Sequence, residues 1–278
     1  MKKIRQIVLL IFLGIAVVLT VFPIWYMLSH SLKSEEIIIN VYHNDIAVWD
    51  KVFIKPFCIH LGQYYRIFFR TPGFLYLFWN SVFITAFIVV FQVLLGIVAA
   101  YGLSKVKFPG SEILFFIYII VMLMPFQVTL VPNYMVLEKL KLLDKGAALI
   151  LPGIFGTFGI FFLKQFMEGI DGAFIEEARI LGASELRIIT DIVGPICKPV
   201  ITSVAVLLFI DYWNMIEQPL VFITSQEKYP LSVYLSTITS QNISIGFACS
   251  VLYMILPMLL MLYAGNDLTD QLKVRSLK

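Results

Sequence analysis

The stretch Ile170–Pro199, IDGAFIEEARILGASELRIITDIVGPICKP, decides how this chain is read. It is the longest polar interruption in the second half of a strongly apolar sequence, and its pattern is that of two short amphipathic helices rather than a loop. Asp171 stands where a carboxylate accepts hydrogen bonds from the free amides of a first helical turn. Phe174, Ile175, Ala178 and Leu181 then recur on one side at helical spacing, and Gly182 is the residue type that ends a helix in the left-handed conformation. Ser184 is expected to cap a second helix through Leu186, Ile189 and Val193, stopped by Gly194 and Pro195. A structured segment with one apolar and one charged face is built to dock on something.

Outside this stretch the composition sets the class. Of 278 residues, 60% are hydrophobic and only 14% charged, too few charges to cover the apolar surface of a soluble domain. The chain is therefore expected to be an all-α polytopic membrane protein. A formal net charge of +3, spread through the loops, offers no nucleic-acid footprint. Cys58, Cys197 and Cys249 fall in different segments and His30, His43 and His60 lack helical spacing; Cys58-x-His60 alone is too little for a metal site. Neither G-x-x-x-x-G-K-[ST], nor HExxH, nor GxSxG occurs, and no soluble region is long enough for a catalytic domain.

Six transmembrane helices are expected, at about 7–28, 75–103, 113–131, 147–166, 200–222 and 245–264, with the docking segment 170–199 between the fourth and fifth; the whole of 1–278 reads as a single transmembrane domain. Pro125 and Pro132 should kink the third span. Gly153, Gly156 and Gly159, three apart in the fourth, mark a face where a neighbouring backbone approaches closely. Six spans put both termini on one side. That side collects Lys2, Lys3 and Arg5, the turn with Lys105 and Lys107, the tail with Lys273, Arg275 and Lys278, and the docking segment with Arg179, Arg187 and Lys198. Such a bias makes it cytoplasmic, although Lys139, Lys141 and Lys145 crowd an external loop.

The docking stretch resembles the EAA loop of the permease subunits of binding-protein-dependent ABC importers, narrowly those of the carbohydrate-uptake type. That family's pattern places Glu-Ala-Ala before a glycine; here Glu176, Glu177 and Ala178 stand before Gly182, with Arg179, Ile180, Ala183 and Ser184 in its usual run and Pro195 and Pro199 at its proline positions. Glu177 replaces the first alanine, Leu181 the usual aspartate and Gly194 the usual leucine. The resemblance is clearest over 124–220. It implies a multi-pass protein of the bacterial inner (cytoplasmic) membrane that works with a second homologous permease subunit, two ATP-binding-cassette ATPase subunits and an extracytoplasmic binding protein. On this reading Phe174, Ile175, Glu176, Glu177, Ala178, Arg179, Leu181, Gly182, Ala183 and Ser184 engage the ATPase. ATP and Mg sit on the partner, and this chain binds no cofactor.

The substrate path is read from polar residues in the spans, where an ionised carboxylate costs roughly 2.5–3.5 kcal/mol even on the lenient insertion scale. In Ile210–Leu220, IDYWNMIEQPL, the residues Asp211, Asn214 and Gln218 share a helical face, with Glu217 beside it and Trp213 as a sugar-stacking aromatic. Trp213, Asn214, Pro219 and Leu220 fit the family's pattern in this span. Gln127 on the third span and Asn80 and Gln92 on the second are weaker path candidates, and all three read more readily as hydrogen-bonding glue between helices. A carbohydrate, an oligosaccharide in particular, is the substrate these groups suit. A sugar acid, polyol or glycerol-phosphate ester is the alternative, as is an ion-coupled secondary transporter, for which Asp211 alone would serve as a midplane carboxylate.

Overall fold

The computed structural model describes residues 2–43, 59–70, 72–106, 108–238 and 242–276. Cys58, Lys107 and Lys278 lie outside them, and with Cys58 the Cys58-x-His60 pair. In chain order the helices are α1 (Lys2–Ser31), α2 (Glu35–His43), α3 (Gly62–Tyr65), α4 (Pro72–Lys105), α5 (Ser111–Leu123), α6 (Phe126–Lys139), α7 (Ala147–Ile154), α8 (Thr157–Glu168), α9 (Gly172–Ile180), α10 (Glu185–Ile188), α11 (Gly194–Trp213), α12 (Glu217–Phe222), α13 (Leu231–Ser236) and α14 (Ile243–Ser276). Among the described residues five helical stretches are long and apolar enough to cross a membrane, or six if the bent pair α5–α6 is counted as one span.

Three spans depart from straight rods, each for a local reason. Pro125 has no amide hydrogen and pushes the residue before it out of the helical region. Met124 accordingly sits at φ −68°, ψ 130°, and α5 and α6 diverge by 101°. Pro132 lies inside α6 without ending it. The fourth span breaks at Phe155–Gly156, where Gly156 takes an extended ψ of 142° between α7 and α8. The fifth span behaves opposite to expectation at its start. Gly194 and Pro195 do not stop the docking segment's second helix; a π turn at Ile189–Val193, with the Gly194 amide bonded to the Ile189 carbonyl, carries it into α11. Widening the turn removes the demand for the amide that proline lacks. The same span ends at Trp213 instead of running to Phe222, because the Asn214 side chain donates to the Ile210 carbonyl at 2.7 Å and closes the last turn.

By contacts the chain divides into two units, Met1–Tyr76 with Tyr234–Leu256, and Leu77–Val233 with Pro257–Lys278. The first holds a cluster in which Tyr26, His30, Tyr42 and Phe247 stack, the two tyrosine hydroxyls paired. There Gln63 bridges the Lys33 carbonyl, at 3.0 Å, and the Ser244 hydroxyl. The second unit is built on Ile84, Ile88, Leu137, Ala148, Leu149, Phe222 and Ile223. The three glycines are tightly packed but do not share one helix face, because the span breaks between Gly153 and Gly159, and what they meet is side chains: a Cβ on Gly153 would meet Ile88, one on Gly156 would meet Gln92 and Tyr212, and Gly159 faces Val204 and Leu208.

A clasp joins two loops of the second unit. Asp144, at φ +59°, accepts from the Thr224 and Ser225 amides at 3.0 and 2.8 Å, the Ser225 hydroxyl at 2.8 Å and the Lys228 ammonium at 2.6 Å. Lys228 and these donors hold its carboxyl below the usual carboxylate range. Because the shift is downward, the stabilisation is complete above the ordinary carboxylate value of about 3.9 and fades as pH falls below it. Asp144→Asn should therefore speed amide exchange at Thr224–Lys228 at neutral pH, whereas the wild-type chain should show that acceleration only in strong acid. Equal exchange in the two proteins at pH 7 would contradict this.

Candidate functional site

The docking segment is a capped helix–turn–helix. The Asp171 carboxylate accepts from the Ala173 amide at 3.0 Å and starts α9. Gly182 ends it at φ +80°, with the Ala183 amide reaching back to the Ala178 carbonyl at 3.0 Å and the Gly182 amide to that of Arg179 at 3.0 Å. Paired returns of this kind around a left-handed residue satisfy carbonyls a helix end otherwise leaves open. Ser184 accepts from the Arg187 amide at 3.4 Å and opens α10. Every residue expected to cap or stop this first helix does so.

The apolar stripe divides between two directions. Ile175 and Ala178 are buried within the chain, while Phe174 and Leu181 are exposed, Leu181 by 81%. Ile180, 86% exposed, and Leu186, 69%, join them in a patch, and neither is among the residues expected to engage the ATPase. The cause is helical phase: 175 and 178 lie on one flank of α9, and 174 and 181 lie about two turns apart on another. Glu176 and Glu177 are exposed beside the patch.

Arg179 turns the other way. Its guanidinium grips Glu185 through Nε at 2.8 Å and Nη2 at 3.1 Å, locking α9 against α10. The Tyr101 hydroxyl donates to the same carboxylate at 2.5 Å, and Lys105 Nζ donates to the Ile170 carbonyl at 2.6 Å. The handle is thereby fastened to the end of α4 as well as running into α11. Tyr101 and Glu185 carried no signal in the sequence, since their partners lie 84 residues apart.

A cavity of about 960 Å³ opens further along these helices, at the middle of α4 and the far end of α11. Asp211 and Gln218 line it, as expected of path residues, and so do Gln92, Asn133, Thr157 and Tyr212. Trp213 does not: it is fully buried, stacked on Phe209 at 5.4 Å, with Phe78 edge-on. Asn214 is occupied in closing α11, and Gln127 donates to Glu217 at 3.2 Å outside the cavity. The expected common helical face of Asp211, Asn214 and Gln218 is absent because the helix breaks between them. Among the described residues no group of three or more His, Cys, Asp or Glu could hold a metal ion.

Residues 92–266 match the family model described as the binding-protein-dependent transport system inner membrane component. The chain is 27% identical over 238 residues to the arabinooligosaccharides transport system permease protein AraQ of Bacillus subtilis (strain 168), covering 86% of this chain and 82% of that one. It is 32% identical over 174 residues to the polygalacturonan/rhamnogalacturonan transport system permease protein YtcP of the same organism, covering 63% and 60%. In fold it superposes on a chain from the crystal structure of a bacterial ABC transporter involved in the import of the acidic polysaccharide alginate, with a TM-score of 0.79, 24% identity and 96% of each chain covered.

Proposed function

Since the chain belongs to the binding-protein-dependent transport system inner membrane component family, we propose that it is the transmembrane permease subunit of an ATP-driven ABC importer carrying an oligosaccharide into the cytoplasm. An extracytoplasmic binding protein delivers the sugar, a homologous second permease completes the path, and two ATPase subunits hydrolyse ATP with Mg. The observation that carries this reading is the capped handle, exposed on its apolar patch and tied to two membrane helices.

The mechanics follow from those ties. A docked ATPase covers Phe174, Ile180, Leu181 and Leu186, each contributing about 1.5–3 kcal/mol if fully buried. Closure of the ATPase pair then displaces α9 and α10 as one piece, because Arg179–Glu185 joins them. One route runs without a helical break from Glu185 to Asp211 at the cavity. The other passes from Lys105 to Gln92 along about 20 Å of α4. A push at the handle therefore reaches the lining of one cavity by two routes, at Asp211 and at Gln92, and changes its access from one side to the other. The handle and both termini are read as cytoplasmic.

Affinity purification of the tagged chain tests this: an ATPase and a sister permease should come with it, and the assembly in proteoliposomes with its binding protein should take up oligosaccharide only with ATP. Transport driven by an ion gradient alone would overturn it. Glu185→Gln should leave ATPase recovery unchanged, because the patch is untouched, yet lower sugar moved per ATP severalfold. An unchanged ratio would remove the Arg179–Glu185 pair from the coupling route.

A further inference from the structure

Three spans lose their helical backbone around the same cavity. Met124 and Phe126 flank the break in the third, Phe155 and Gly156 form that in the fourth, and Asp211 and Gln218 stand on either side of the one after the fifth. Irregular backbone at membrane depth is tolerated where it faces a polar cavity instead of lipid. The cavity is also where polar groups lack partners. Gln92 is 1% exposed, and among the described residues neither its Nε2 nor its Oε1 has a hydrogen-bond partner; the same holds for the buried Oε1 of Gln218. A buried amide left this way costs about 1–3 kcal/mol per group, so its place in the wall calls for something that bonds to it. Gly156 keeps that place open, because a Cβ there would collide with the Gln92 amide.

The set of partners on offer specifies the occupant. Two amides present both donors and acceptors, Asp211 an acceptor, and the first amides of α8, which no side chain caps, further donors. Alcohol groups, each a donor and an acceptor, match this set. Charge narrows it: among the described residues the cavity is lined by no Lys, Arg or His, and the one formal charge they bring to it is the Asp211 carboxylate. A uronate or phosphate entering would lose its hydration and meet a like charge with no cation to pair with it.

Building on the transport reading, we propose that this cavity is a subsite of this subunit for an uncharged sugar unit, with Gln92 and Gln218 bonding its hydroxyls and Asp211 turning away acidic saccharides. It places the chain's substrate with neutral oligosaccharides such as those in the name of the arabinooligosaccharide relative, and apart from the acidic polysaccharide named for its structural counterpart.

Saturation-transfer NMR on the assembled importer in nanodiscs, titrated with arabinotriose and with trigalacturonate, tests this. Arabinotriose should bind and trigalacturonate should not. Gln92→Leu should weaken arabinotriose about tenfold, and Asp211→Asn should admit trigalacturonate, a gain that misfolding cannot produce. Arabinotriose binding indifferent to Gln92→Leu, or trigalacturonate binding equally to the wild-type assembly, would overturn the subsite. An assembly that hydrolyses ATP and imports sugar while failing these tests sinks the subsite alone. A chain that brings down no ATPase sinks the transport reading instead.

Discussion

Gly153→Val should reduce the amount of assembled protein by an order of magnitude or more. A Cβ at this position would stand 2.8 Å from Cγ2 of Ile88 and 3.0 and 3.1 Å from two more of its carbons. Ile88 is fully buried in the core and has no room to swing away. Overpacking of this kind costs about 1–3 kcal/mol, a large share of the stability of an ordinary domain. Valine adds two methyl groups beyond that Cβ. The measurement is monodisperse yield and melting temperature in detergent. Ile88→Ala in the same chain should restore much of the loss by vacating the contested volume, while Gly172→Ala, where a Cβ meets nothing within 4 Å, should be silent. If Gly153→Val melted with the wild type, the close approach of α4 and α7 would be wrong.

Leu181→Asp combined with Ile180→Asp should abolish recovery of the ATPase with the chain while leaving the permease folded. Both side chains are more than four-fifths exposed, so neither supports the interior. Truncating central apolar residues of an interface commonly costs 2 kcal/mol or more, about thirtyfold in affinity, and an added carboxylate must also be desolvated. Ile175→Asp is the informative contrast. Ile175 is buried within the chain, and its replacement should cost folded protein and not only the partner. Undiminished ATPase recovery by the exposed double variant would move the docking surface elsewhere.

The helix–turn–helix was legible because its determinants are local. Asp171, Gly182 and Ser184 act within four residues of themselves, through caps and a left-handed turn whose chemistry depends on residue type alone. The membrane class was legible for a similar reason, since a lipid environment demands long apolar runs whatever packs beside them. The glycine triplet was legible as three places with no room for a side chain, while the break at Phe155–Gly156 that divides it between two helices was not.

Misreadings arose where two local rules competed or where the partner was distant. Gly194-Pro195 looks like a helix stop, but a π turn absorbs the missing amide, and the choice between stop and passage depends on what α11 gains by packing against α8. Trp213 looked like a sugar platform; only Phe209 and Phe78 around it make it core. Gln92 looked like glue between helices, yet it finds no partner once the helices are assembled.

By itself the order of residues determined an apolar helical chain, its spans, and a capped handle between the fourth and fifth of them, because backbone hydrogen bonding and burial in lipid act on neighbours in sequence. Which side chains bound the cavity, and which face of the handle is turned outward, was decided by the packed structure alone. Those properties depend on what stands opposite: the breaks of three spans at one place, and Glu185 and Tyr101 meeting across 84 residues.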